Sequence, residues 1–135
     1  MSKPEDTIWA ALIHLSYNMW MDRPMPELNY AHHTAMPYMR FDEELWRETL
    51  QAMSAAGMNM VLIDLGDAVK YQSHPEIALP DAWTIEHLSK ELDYCRSLGL
   101  EPIPKLNFST SHDEWMGIYA RMVSTPQYYQ VCRDL

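Results

Sequence analysis

Glycine is scarce in this chain, with four residues in 135. No GxGxxG, P-loop or GxSxG pattern occurs, so phosphate cradling by a glycine-rich loop is not expected. Cysteine is limited to Cys95 and Cys132, far apart in sequence, which leaves neither a disulfide framework nor a CxxC zinc pair. No stretch approaches the ~18 apolar residues of a membrane helix. The opening Met-Ser-Lys-Pro-Glu-Asp has no apolar signal-peptide run. A soluble, cytoplasmic-type protein is the expectation, or a secreted one if a leader has been removed. Positive charge is also short: 10 Lys and Arg face 19 Asp and Glu, a net charge of −9. That excess argues against nucleic acid and anionic membrane as partners.

Apolar residues make up 47% of the chain, ordinary for a globular protein, and the length suits one domain with a real core. Eleven Met and five Trp contrast with only two Phe. Met fills irregular gaps in cores, and Trp either fills cores or stacks on sugar rings.

Trp9–Ser16 is a candidate first strand. Residues 18–40 carry Pro24, Pro26, Pro37 and the pair His32-His33 without periodicity, and read as a long loop. Asp42 is a good N-cap, with Glu43 and Glu44 in a first turn that favours anions. Leu45, Thr49, Ala52, Met53 and Ala56 then share a helical face up to Gly57. Met60–Leu65 is a nearly continuous apolar strand of the kind buried on both faces. Thr84 can cap a second helix whose stripe is Ile85, Leu88, Leu92, Cys95 and Leu98, stopped by Gly99. Pro102–Phe108 is the third strand. A third helix is expected to align Trp115, Ile118, Tyr119 and Met122, and a fourth opens at Ser124-Thr-Pro126.

Strand, helix, strand, helix, strand, helix implies an α/β fold with parallel βα crossovers. Two architectures compete: the first half of a (β/α)8 barrel, which needs about 250 residues, and a small doubly wound sheet of about five strands. The matched joints at Ala55–Val61 and Ser97–Ile103 set a period on which a fourth strand falls due beyond Leu135. The expectation is therefore one incomplete barrel domain over residues 1–135. If the chain stands alone, its open sheet edge invites self-association.

Ligands in α/β proteins bind where chains leave the carboxyl ends of parallel strands. The exit after Met60–Leu65 offers Asp64 and Asp67, followed by Tyr71 and His74. Paired carboxylates there orient sugar hydroxyls, hold a cation or act as acid and base; otherwise one caps a loop and the other is solvated. The next exit offers Lys105, Asn107, His112 and Asp113. Lys105 and Asn107 share a strand face, and a buried lysine is costly unless it is paired or faces a polar centre. Asp113 is equally a helix cap. Trp83 and Tyr71 are candidate stacking platforms, while Trp115 is in phase with a core stripe. The histidines lack metal-ligand spacing, so neither metal nor cofactor is expected.

The segment Asp42–Asp113 resembles the catalytic barrel of glycoside hydrolases, especially the hexosaminidase-like group. The matching residues are Leu88, Glu91, Leu92, Leu98, Gly99, Pro104 and His112. The resemblance implies a barrel scaffold, a carbohydrate ligand, and His112 as a site residue, with an acidic Asp-Glu pair after the next strand. The sequence departs from that pattern at Lys105-Leu106-Asn107, where an acidic residue is common. A non-catalytic carbohydrate-binding protein and a small α/β interaction module are the alternatives.

Overall fold

A computed structural model describes residues 7–18, 35–109 and 111–135. The His32-His33 pair, Pro24 and Pro26 lie outside them. The elements are β1 (Ala10–His14), α1 (Glu43–Ala55), β2 (Met60–Asp64), α2 (Ile85–Ser97), β3 (Glu101–Lys105) and α3 (Pro126–Asp134), with 3-10 turns at Pro75–Ile77 and Glu114–Tyr119. The three strands form one all-parallel sheet in the order β1-β2-β3.

Local chemistry sets the helix boundaries. Asp42 accepts from the Leu45 amide at 2.9 Å, Thr84 from His87 at 3.1 Å and Thr125 from Tyr128 at 3.2 Å, each satisfying an otherwise orphaned N–H. At the other end of α1, Gly57 takes φ +81°, and the Met58 amide returns to the Met53 carbonyl at 3.1 Å. Gly99, at φ +77°, lets Leu100 return to Cys95 in the same way.

The register places Ala11, Val61 and Pro102 in one row and Ile13, Ile63 and Pro104 in another, on the same face. Val61 and Ile63 are fully buried and cluster with Leu50 and Met53 of α1 and Leu88 and Cys95 of α2. The rows of opposite phase are Leu12–Leu62–Ile103 and His14–Asp64–Lys105. On that face Leu12 is 45% and Ile103 38% exposed, so the sheet carries its helical layer on one side and leaves the other side partly bare.

The prolines of β3 fit this layout. β3 is an edge strand of the described sheet. The Glu101 amide donates to the Asn59 carbonyl and the Lys105 carbonyl accepts from Leu65, so residues 101, 103 and 105 direct their backbone toward β2. Pro102 and Pro104 fall in the alternate phase, where their missing N–H breaks no bond to β2.

Three expected stripes differ from the observed ones. In α1 the buried residues are Trp46, Leu50 and Met53, and Leu45 is 62% exposed. The buried face is turned one residue from the expected one. Trp46 has more apolar area to bury than Leu45, and its indole N–H finds Glu91 at 2.8 Å. In α2 that same Glu91 is buried beside Leu88 and Cys95, while Ile85 lies outside. Arg47, 2.5 Å from Glu91, balances the buried carboxylate. The helix expected around Trp115–Met122 is a 3-10 turn: Gly117, Arg121 and Ser124 all take positive φ, which breaks an α-helical ladder, and Ile118 faces solvent.

Candidate functional site

The carboxyl ends of the three strands converge on Asp64. His14, Asp64 and Lys105 are in register across the sheet. Parallel pairing with side chains of one phase puts all three on the same face, at the same end. Asp64 has no exposure. Its Oδ2 accepts from Lys105 Nζ at 2.6 Å and Asn107 Nδ2 at 2.8 Å, and His14 Nδ1 lies 3.4 Å away. Lys105 keeps 30% of its side chain in solvent and His14 17%. The carboxylate is thus an interior anchor, and the basic side chains around it form the outward surface. Asp64 Oδ1 is buried without a hydrogen-bond partner among the described residues.

A second layer supports this anchor. Ser16 and Trp115 pack at Gly66, where a Cβ would sit 3.7 Å from each, so the exits of all three strands meet there. Trp115 is buried and donates its indole N–H to the Asn107 carbonyl at 2.9 Å, fixing the backbone that carries Asn107. Tyr71 is buried, with its hydroxyl donating to the Gly66 carbonyl at 2.7 Å. Burial and the nearby Asp67 and Asp64 charges push its phenol well above the usual range. Asp67 is buried too, and accepts from Asn18 Nδ2 at 2.6 Å. Burial raises its carboxyl above the ordinary value, against the hydrogen bonds of Ser16 and Asn18. The Asn18 amide also exchanges two hydrogen bonds with the Met36 backbone, which ties the chain before α1 to the β2 exit.

Lys105 and Asn107 are brought together with Asp64, as their shared strand face implies. Asp67 and Tyr71 form a buried support beside them. The remaining sequence candidates lie elsewhere. Trp83 is buried and packs edge-on against Phe41 and Trp46 at 4.9 and 5.8 Å, with His87 stacked at 4.7 Å. An indole so covered offers no open face to a sugar ring. His74 bridges Glu76 and Asp134, each at 3.1 Å, and so fastens the loop after β2 to α3. Asp113 is buried and accepts from the Arg121 amide at 2.9 Å, closing the turn around Gly117. His112 is half-buried and meets Ser111 and Ser109 hydroxyls at 3.0 and 3.3 Å.

His14 and Asn18 are the site residues that sequence reasoning missed. Both stand at or just after the end of β1, the position equivalent to the two exits that were singled out, and that equivalence was the available signal.

Among the described residues no group of three His, Cys, Asp or Glu side chains is arranged to hold a metal ion. No helix there is long and apolar enough to cross a membrane. A cleft of about 150 Å³ adjoins the site between β1 and α1, lined in part by Ile13, His14, Phe41 and Trp46. No protein-family model matches this chain, and no curated protein matches it.

Proposed function

We propose that this chain is the amino-terminal part of a glycoside hydrolase-like (β/α)8 barrel, and that the end of its sheet around Asp64 receives a carbohydrate. The observation that carries this reading is the row His14–Asp64–Lys105, with Asn107 beyond it, standing on the face of the sheet away from the helices. In a barrel that face is the interior and its carboxyl end is the ligand-binding mouth. The consecutive strand order and the one-sided helical layer fit the opening strands of a barrel, as they fit one half of a doubly wound sheet.

Lys105, Asn107 and His14 would contact ligand hydroxyls, with Asp64 holding them in place. Asp67 and Tyr71 stiffen the support beneath. The general acid and its partner carboxylate are assigned to barrel strands other than these three, because Asp64 is committed to Lys105 and Asp67 is buried against Asn18. The same commitment favours a second reading, a non-catalytic carbohydrate-binding protein on this scaffold.

Calorimetric titration of the chain with a panel of methyl glycosides and short oligosaccharides tests the reading. Binding that Asn107→Ala weakens by roughly tenfold, the scale of one good hydrogen bond, is expected, without turnover of aryl glycosides. Absence of binding across the panel would sink both carbohydrate readings. Turnover of an aryl glycoside abolished by Asp67→Ala would overturn the assignment of catalysis to other strands.

A further inference from the structure

We infer that the ligand of this mouth is an acidic saccharide whose carboxylate seats on Lys105, a proposal that rests on the carbohydrate reading above and narrows it. Carboxylates are plentiful in the chain, yet three of those at the described strand exits are withdrawn from solvent. Asp64, Asp67 and Asp113 are all buried. Among the described residues of the cluster, the charged group that reaches outward is the Lys105 ammonium, 30% exposed. An ammonium has three N–H donors and no acceptor. One is directed to Asp64 Oδ2 at 2.6 Å, which holds the side chain upright at the end of β3. The geometry leaves its outward side for an acceptor from the ligand.

A charged acceptor is favoured over a neutral one by strength and by the burial of Asp64, Asp67 and Asp113. Hydrogen bonds between ionised partners are roughly twice as strong as neutral ones. A neutral ring places hydroxyl donors as well as acceptors at the mouth, and those donors are best received by carboxylates, while Asp64, Asp67 and Asp113 are buried. A uronate carboxylate is acceptor-only and calls for donors alone. His14 Nδ1 stands 3.4 Å from the same Asp64 oxygen, beside Lys105 at this end of the sheet. The chain's net charge of −9 provides no long-range attraction for such a ligand. Selectivity must therefore come from the short contact to Lys105 and not from steering.

The test compares methyl glucuronide with methyl glucoside, each titrated into the full chain by NMR at fixed pH and salt. The expected result is uronate binding tighter by about tenfold, the range of a charge-assisted over a neutral hydrogen bond. Lys105→Gln should bring the two affinities together. Because that variant removes the Lys105 charge facing Asp64, the double variant Lys105→Gln with Asp64→Asn supplies a neutral pair of similar shape and should show the same loss of preference. Equal or tighter binding of the glucoside would overturn the acidic-ligand inference and leave the carbohydrate reading standing. Failure of both sugars to bind would remove the two together. A preference for the uronate that survives in the double variant would show that Lys105 does not read the charge.

Discussion

Asp64 has no exposure while Lys105 keeps nearly a third of its side chain in water, so the two halves of this pair are not equivalent in what their loss costs. Lys105→Met takes the lysine charge away from a carboxylate that cannot reach solvent and leaves Asn107 and His14 beside it. Breaking a buried pair in this way costs about 3–5 kcal/mol. Asp64→Asn leaves a lysine that can turn outward, and it takes the carboxylate charge from two hydrogen bonds, those of Lys105 and Asn107, while keeping an oxygen to accept. Urea denaturation of the two variants is expected to place Lys105→Met below Asp64→Asn. The reverse order would mean that Asp64 is wetter than its burial implies. The pair itself was half legible in the sequence. A lysine within a strand pattern demands a partner, and Asp64 was already singled out. What primary structure does not show is that the partner is Asp64, since that needs the register of β2 on β3. Trp83 shows the opposite limit: a tryptophan after a strand exit suits a platform or a core equally, and only the arrival of Phe41, Trp46 and His87 around it decides.

At the scale of elements, the cluster around His74 joins the loop after β2 to α3. Burial alone lowers the His74 value, but the hydrogen bonds and charges of Glu76 and Asp134 outweigh it and raise it above the ordinary 6.5. Glu76 is drawn down to about 2, first by the Tyr119 hydroxyl at 2.6 Å and also by His74. The raised histidine contributes stability that is complete below pH 6.5 and fades as pH climbs through its folded value. The lowered carboxylate contributes stability that is complete above pH 4.5 and fades as pH falls toward 2. Between 4.5 and 6.5 both act together. Amide hydrogen exchange along α3, corrected for its intrinsic pH dependence, is expected to show greatest protection in that window. His74→Gln should remove the loss of protection on the alkaline side. A flat profile in the unsubstituted chain would contradict the account.

The helices themselves were legible, because Asp42, Thr84, Pro126, Gly57 and Gly99 are strong local signals. Their buried faces were less so. Trp46 and Glu91 occupy interior positions for the sake of each other, a reason invisible along either helix alone. The 3-10 turn at Glu114–Tyr119 was missed because a single glycine inside an apolar period is easily overlooked, and the positive φ of Arg121 and Ser124 has no sequence signature.

For the molecule as a whole, the sheet is asymmetric in two ways. One face carries the core and the other presents Leu12, Leu62 and Ile103 leading up to the polar row. The two edges differ as well. Beyond β3, Pro102 and Pro104 direct carbonyls but no N–H outward, so a neighbouring strand on that edge would be held there through the carbonyls alone. The parallel order followed from the alternation of strands and helices. The bare face did not, because an apolar strand such as Met60–Leu65 looks alike whether one or both of its faces are covered. The functional account stands on that face and its carboxyl end. Its most direct test is a two-dimensional NMR titration of the isotope-labelled chain with a short oligosaccharide, following the side-chain signals of His14, Lys105 and Asn107. The account expects the largest shifts at these three residues. Shifts centred instead on the β1–α1 cleft at Ile13, Phe41 and Trp46, or no shifts at all, would contradict it.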